Sequence, residues 1–266
     1  MWTITIKEIT MLKITSKDGA TIAYNRIGNG PIIILVGGAL QTKSDHLMGT
    51  LAPLLAEKFT VISYDRRGRG ESTDTNSYSV DREIEDLEGI IREVGGSANI
   101  FGNSSGGNLA LLAATKLPGI TKIALYEAPF ISEQKLSDAT EYIDGLKKFI
   151  SANQPNKALK LFFKRIGLPT PIVIGMSLTP MWRGLKTLAP TLVYDAIIVG
   201  DGSVPTTLKT LAVPTLAVTG DSNQMKQAAE DLVAVLPKGN LRVLEGQNHN
   251  VKADFLASAL IQFFAQ

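Results

Sequence analysis

The sequence predicts an α/β fold: a mostly parallel sheet flanked by helices, with a helical insertion. Three observations carry that prediction. Continuous β-branched runs of strand length, above all Pro31–Val36 and Phe59–Tyr64, suit strands buried on both faces, as parallel sheets require. Amphipathic helical stretches alternate with such runs, and between Asp81 and Val94 the residues Ile84, Leu87, Ile90, Ile91 and Val94 fall on one helical face. Finally, Gly102-Asn103-Ser104-Ser105-Gly106-Gly107 lies where a strand-like run, Ser97–Phe101, gives way to the helix formers of Asn108–Ala114.

Length and composition narrow the possibilities. The 266 residues suffice for one large α/β domain, and no internal repeat argues for two. Apolar residues make up 44% and charged residues 20%, ordinary values for a globular protein, and no apolar run approaches the roughly 18 residues of a membrane span. The first residues alternate Trp2, Ile4 and Ile6 with polar neighbours, unlike a secretory signal, so cytoplasmic residence is the expectation. Basic and acidic residues, 27 and 25, are mixed along the chain, which points away from nucleic acid as a partner. With no cysteine and only two histidines, His46 and His249, thiolate chemistry is excluded and a multi-histidine metal site has almost no material. No metal or organic cofactor is implied.

Taken in order, the chain opens with alternating stretches at Trp2–Ile6, around Leu12–Thr15 and at Thr21–Tyr24, half-buried antiparallel strands joined by a turn at Lys17-Asp18-Gly19. The buried run to Val36 ends in Gly37-Gly38-Ala39-Leu40, and His46 follows in a polar segment before a helix-like stretch. After Tyr64 comes Asp65-Arg66-Arg67-Gly68-Arg69-Gly70-Glu71-Ser72, whose carboxylate, arginines and glycines suit a tight, internally hydrogen-bonded loop. Gly95-Gly96 closes the helix that follows. The strand Lys122–Tyr126 leads directly into Glu127, a carboxylate on the sheet edge where open α/β sheets bind ligands. From 131 to 207 amphipathic pieces are broken by Pro155, Pro169, Pro171, Pro180 and Pro190 into several short helices. Phe162, Phe163, Met176, Met181 and Trp182 are the candidates there to line an apolar pocket. A strand at Val213–Thr219, another from Asn240 ending near His249, and a helix from Ala253 to Phe264 complete the pattern.

The Gly-x-Ser-x-Gly turn, the Asp65–Ser72 loop and the placement of His249 together resemble the α/β-hydrolase superfamily, in its serine-nucleophile, cap-containing branch. The resemblance implies a core formed by residues 1–130 and 208–266, a helical cap at 131–207 and Ser104 as nucleophile. It also implies backbone donors at Ala39 and Ser105 for the oxyanion hole, and His249 as catalytic base. Many members carry His-Gly where this chain has Gly37-Gly38. The usual acid position holds Asn223, which cannot carry negative charge, so the acid divides between Glu127, the preferred choice, and Asp221, with Asn223 as a neutral orienter the third option.

A serine hydroxyl needs a base to accept its proton as it attacks, and the imidazolium formed needs a buried carboxylate. Hydrolysis of a small ester, lactone or thioester through an acyl-enzyme is therefore the leading expectation, with a small-molecule acyl substrate as the partner. A carbon–carbon bond hydrolase or a perhydrolase would use the same residues. A weakly active or non-catalytic ligand-binding member of the same fold is the alternative from a different class.

Overall fold

The computed structural model describes residues 9–75, 77–131 and 136–266; the alternating stretch Trp2–Ile6 lies outside them. Eight strands form one sheet: β1 (Thr10–Thr15), β2 (Thr21–Ile27), β3 (Ile32–Val36), β4 (Thr60–Tyr64), β5 (Ala98–Asn103), β6 (Ile120–Tyr126), β7 (Thr215–Thr219) and β8 (Gly239–Val243). Their order is β1-β2-β4-β3-β5-β6-β7-β8. The β1–β2 and β2–β4 pairs are antiparallel and all the others parallel, which is the mostly parallel sheet expected.

The pleat sorts the buried runs onto two faces. In β3, Ile34 and Val36 enter one core while Ile33 and Leu35 enter the other, and β6 divides Ile123 and Leu125 from Ala124 and Tyr126 in the same way. Helices α1 (His46–Leu55) and α10 (Ala253–Phe264) cover one face through Met48, Leu51, Leu55, Leu256 and Leu260. On the other face lie α2 (Val80–Glu93), α3 (Ser105–Ala114) and α9 (Asn223–Val235), contributing among others Leu87, Ile90, Leu109, Leu111 and Leu232. Side chains cap three of these helices: Asp45 accepts from Met48 N, Ser79 from Arg82 N and Ser222 from Met225 N.

Between β6 and β7 the chain forms α4 (Leu136–Ser151), α5 (Pro155–Arg165), α6 (Thr170–Ser177), α7 (Met181–Leu188) and α8 (Leu192–Val199). This segment has a core of its own. Phe163 stacks on Trp182 with ring centroids 5.8 Å apart, and Leu146, Leu159 and Leu192 close around them. Phe163 and Trp182 are therefore spent on packing the segment, and Met181 is exposed. Ala39 and Leu40, from the loop after β3, pack against the same cluster and join it to the sheet. Among the described residues no helix is long and apolar enough to cross a membrane.

The approach of α3 to the sheet leaves no room for a side chain at Gly106. A Cβ at Gly106 would stand 2.3 Å from Val36 O and 2.7 Å from Gly37 O, whereas one at Gly184 in α7 meets nothing within 4 Å. Gly106→Ala is accordingly expected to lower stability by about 1–3 kcal/mol or more through overpacking. Gly184→Ala is expected to raise it by about 0.5–1 kcal/mol through helix propensity. Urea unfolding of both variants reads the contrast, and equal midpoints would contradict it.

Candidate active site

The centre of the site is a turn. Asn103, the last residue of β5, pairs with Tyr126 of β6, and the next residue, Ser104, donates its N–H to Tyr126 O at 2.8 Å. Ser104 then adopts φ 51°, ψ −128°, outside the regions open to most side-chain-bearing residues, and α3 starts at Ser105. Such a bend fits only because its neighbours are small. A Cβ at Gly102 would lie 2.6 Å from Gly106 O and from Gly107 Cα. As the first residue of α3, Ser105 has an N–H without an intrahelical acceptor.

Glu127 follows Tyr126 and continues the sheet, donating its N–H to Val218 O at 3.0 Å with φ 45°. Its carboxylate is only 1% exposed, accepts from Gly220 N at 3.1 Å and lies 2.8 Å from His249 Nδ1. The His249 side chain is 55% exposed. The loop that carries it is stitched to β6 and to the loop after β7: Tyr126 Oη donates to Asn248 O, and Asp221 N donates to Gln247 O at 2.8 Å. Asp221 faces elsewhere. It is 51% exposed, accepts from Gly246 N at 2.7 Å and pairs with Lys226 at 3.6 Å, so its carboxylate braces the loops. Asn223 begins α9 and His46 begins α1, both exposed.

The loop after β3 lies directly on the turn. A Cβ at Gly38 would stand 2.9 Å from Ser104 Cβ. Gln41 organises this loop. Its Oε1 accepts from Gly38 N at 2.6 Å and from Asn103 Nδ2 at 2.8 Å, tying the loop to the residue before Ser104. Gln41 carries no motif signal in the sequence.

Behind the turn lies a buried ionic network. Arg66 binds Glu83 through two bonds of 2.7 and 2.6 Å and Asp195 at 2.7 Å, and Arg69 binds the other Asp195 oxygen at 2.7 Å. The two guanidiniums also donate to Gly37 O at 3.2 Å and Gly38 O at 2.5 Å, while Ser105 Oγ donates to Asp195 at 2.7 Å. Burial alone would raise the Asp195 carboxyl. The pull of Arg69 and Arg66 with the Ser105 hydrogen bond outweighs it and holds the group below the ordinary carboxylate value. The tight, internally bonded Asp65–Ser72 loop is seen as expected, but its arginines reach much further than the loop.

The model of the alpha/beta hydrolase family matches residues 33–259. A crystal structure of an alpha/beta hydrolase from Sphaerobacter thermophilus DSM 20745 is 38% identical with a TM-score of 0.87, covering 95% of this chain and 100% of that one. The uncharacterized hydrolase YraK of Bacillus subtilis (strain 168) is 31% identical over 153 residues, 54% of this chain, and the matched region spans 54% of YraK's own length. The bifunctional esterase/perhydrolase DCH of Acinetobacter calcoaceticus is 26% identical over 237 residues, 80% of this chain and 82% of the relative.

Gln41 generates a direct test. Gln41→Ala leaves two donors without their acceptor and is expected to destabilise the fold by about 1–3 kcal/mol. Gln41→Glu, which keeps an oxygen for both, recovers most of that loss. Chemical denaturation measures each, and a neutral Gln41→Ala would show that the bridge contributes nothing.

Proposed function

The chain belongs to the alpha/beta hydrolase family, and from that premise we propose that it is a serine hydrolase acting on a small ester, lactone or thioester through an acyl-enzyme intermediate. The observation that carries this reading is the 2.8 Å contact between His249 Nδ1 and the buried Glu127 carboxylate, on the strand next to the strained Ser104. Similarity to a bifunctional esterase/perhydrolase supports acyl chemistry.

In this reading Glu127 accepts the Nδ1–H of His249, which fixes the tautomer so that Nε2 faces the substrate side as a base. Ser104 Oγ attacks the acyl carbon while its proton passes to His249 Nε2. The carbonyl oxygen becomes an oxyanion that accepts from the N–H groups of Ala39 and Ser105, at the positive end of α3. Collapse of the tetrahedral intermediate breaks the bond to the alcohol or thiol, which leaves with the proton from Nε2. Water then attacks the acyl-Ser104 ester with His249 again as base, releasing the acid and restoring the hydroxyl. The Ala39 donor lies on the loop held by Gln41, so the missing loop histidine removes no donor. The helical segment at 136–199 acts as a cap that bounds the acyl site, touching the oxyanion loop through Ala39 and Leu40.

Two measurements check this. A fluorophosphonate probe is expected to label Ser104 rapidly, with labelling lost in Ser104→Ala; a folded protein that resists labelling would instead be a ligand-binding member of the fold. With a short-chain p-nitrophenyl ester, Glu127→Gln is expected to lower kcat by on the order of 10³-fold or more. Asp221→Asn should change it by less than about tenfold, and the reverse ranking would transfer the acid role to Asp221.

A further inference from the structure

Among the described residues, the hydrogen-bonding partners of the Asp195 carboxylate lie outside the helical segment that carries it. Oδ1 accepts from Arg66 Nη1 and from Ser105 Oγ, each at 2.7 Å, and Oδ2 accepts from Arg69 Nη2 at 2.7 Å. Asp195 is a lone acid in the apolar α8, Leu-Val-Tyr-Asp-Ala-Ile-Ile-Val, and it is buried.

The far ends of these contacts are the informative ones. Arg69 Nη1 donates to Gly38 O at 2.5 Å. The carbonyl of Gly38 and the N–H of Ala39 belong to one planar trans peptide, on which they point in opposite directions. Whatever fixes the Gly38 oxygen therefore aims the Ala39 N–H. Arg66 holds the preceding carbonyl, Gly37 O, in the same way. On the other side of the turn, the Ser105 hydroxyl is tethered to Asp195, which restrains the residue whose N–H faces away from α3.

We propose that Asp195 is a positioning residue for the oxyanion hole: one cap carboxylate orients both backbone donors, Ala39 through Arg69 and Ser105 through its hydroxyl, so the hole is complete only with the cap seated. The proposal rests on the assignment of Ala39 and Ser105 as the donors. Asp195 touches no reacting atom in this scheme. Its effect belongs to the transition state, where the oxygen carries charge, and not to binding of the neutral ester.

The test uses the full chain with Asp195→Asn and Ser105→Ala. Asp195→Asn turns an amide N–H₂ or a weaker acceptor toward the two guanidiniums. It is expected to lower kcat for a p-nitrophenyl ester about 10- to 100-fold with KM changed less than about threefold. Affinity for a trifluoromethyl ketone, whose hemiketal carries the oxyanion, should fall in parallel. Ser105→Ala, which breaks one tether, should lose less, about three- to tenfold in kcat. A role in folding alone would shift the melting temperature and leave the analogue's relative affinity unchanged. The proposal is overturned if folded variants keep kcat within about twofold, or lose activity through KM only. If Asp195→Asn does not fold, Ser105→Ala decides by the same criteria. Should the wild-type protein turn over no ester, the proposed function fails, while amide hydrogen exchange of residues 37–41 and 105 still reads the positioning. Faster exchange in the variants supports it and unchanged exchange overturns it.

Discussion

The constraint on which the rest of the structure depends is the near-contact of α3 with β3 and β5. Gly102, Gly106 and Gly107 let the helix start so close to the strands that the connection has room for only one residue, Ser104. A non-glycine backbone in this conformation costs about 1–3 kcal/mol and persists only where its surroundings over-determine it. Here the Ser104 N–H is held by Tyr126 O, and its own carbonyl accepts from Gly107 N at 2.8 Å. Leu40, Ser104 and Glu127, three of the four described non-glycine residues with positive φ, follow the neighbouring strands β3, β5 and β6. Strain is thus concentrated along one stretch of the sheet's carboxyl edge, where these three loops meet.

The ionic network behind that edge does something that packing alone would not. Arg66, Arg69, Glu83 and Asp195 balance in formal charge, and all four are buried. Removing such charges from water is expensive, and a well-packed apolar group of similar volume is often equally stable in their place. The gain is directional. A planar guanidinium offers several fixed donors, so one arginine grips a carboxylate and a backbone carbonyl at the same time, which an ammonium on a flexible stem would hold less firmly. Tyr78 extends the network, donating to Glu83 at 3.0 Å while its ring stacks on Tyr194, the neighbour of Asp195, at 3.7 Å. Loss of any one partner would leave an uncompensated buried charge, so the arrangement is coupled throughout.

Much of this fold was legible in the sequence because its signals are local. Unbroken β-branched runs became strands buried on both faces, the stretch 81–94 became α2 within a residue at each end, and the helix anticipated at Ala253–Phe264 has those boundaries. The strand before Ser104 is longer than its apolar run because Gly102 and Asn103 keep the ladder with Leu125 and Tyr126, a cross-strand property that neither residue's own preference reveals. Nonlocal chemistry was not legible. Arg66 meets Asp195 across 129 residues, and in the sequence that aspartate is one acid in an apolar helix. Gln41 reads as an ordinary loop residue until Gly38 and Asn103 are seen to share its oxygen. The aromatic residues of the helical segment were legible as apolar, but whether they line a cavity or fill a core depends on partners in other helices.

The position of Glu127 beside Ser104 follows from the same strand order. β6 is the immediate neighbour of β5, so a residue one step past Tyr126 lies beside the residue one step past Asn103. Glu127 therefore starts next to Ser104, and its carboxylate has to reach only the imidazole that arrives from the loop after β8. The loop after β7 begins one strand further away. There Asp221 is already engaged by Gly246 N, and Asn223 sits in the first turn of α9 behind the Ser222 cap. That loop still contributes through Gly220, which approaches Gln247 so closely that a Cβ would meet its carbonyl at 2.3 Å and whose N–H reaches Glu127. The loop after β7 thus hydrogen-bonds the carboxylate and holds the histidine loop against it. An asparagine at the usual acid position is thus compatible with a complete His–carboxylate pair, because the charge is supplied from the adjacent strand.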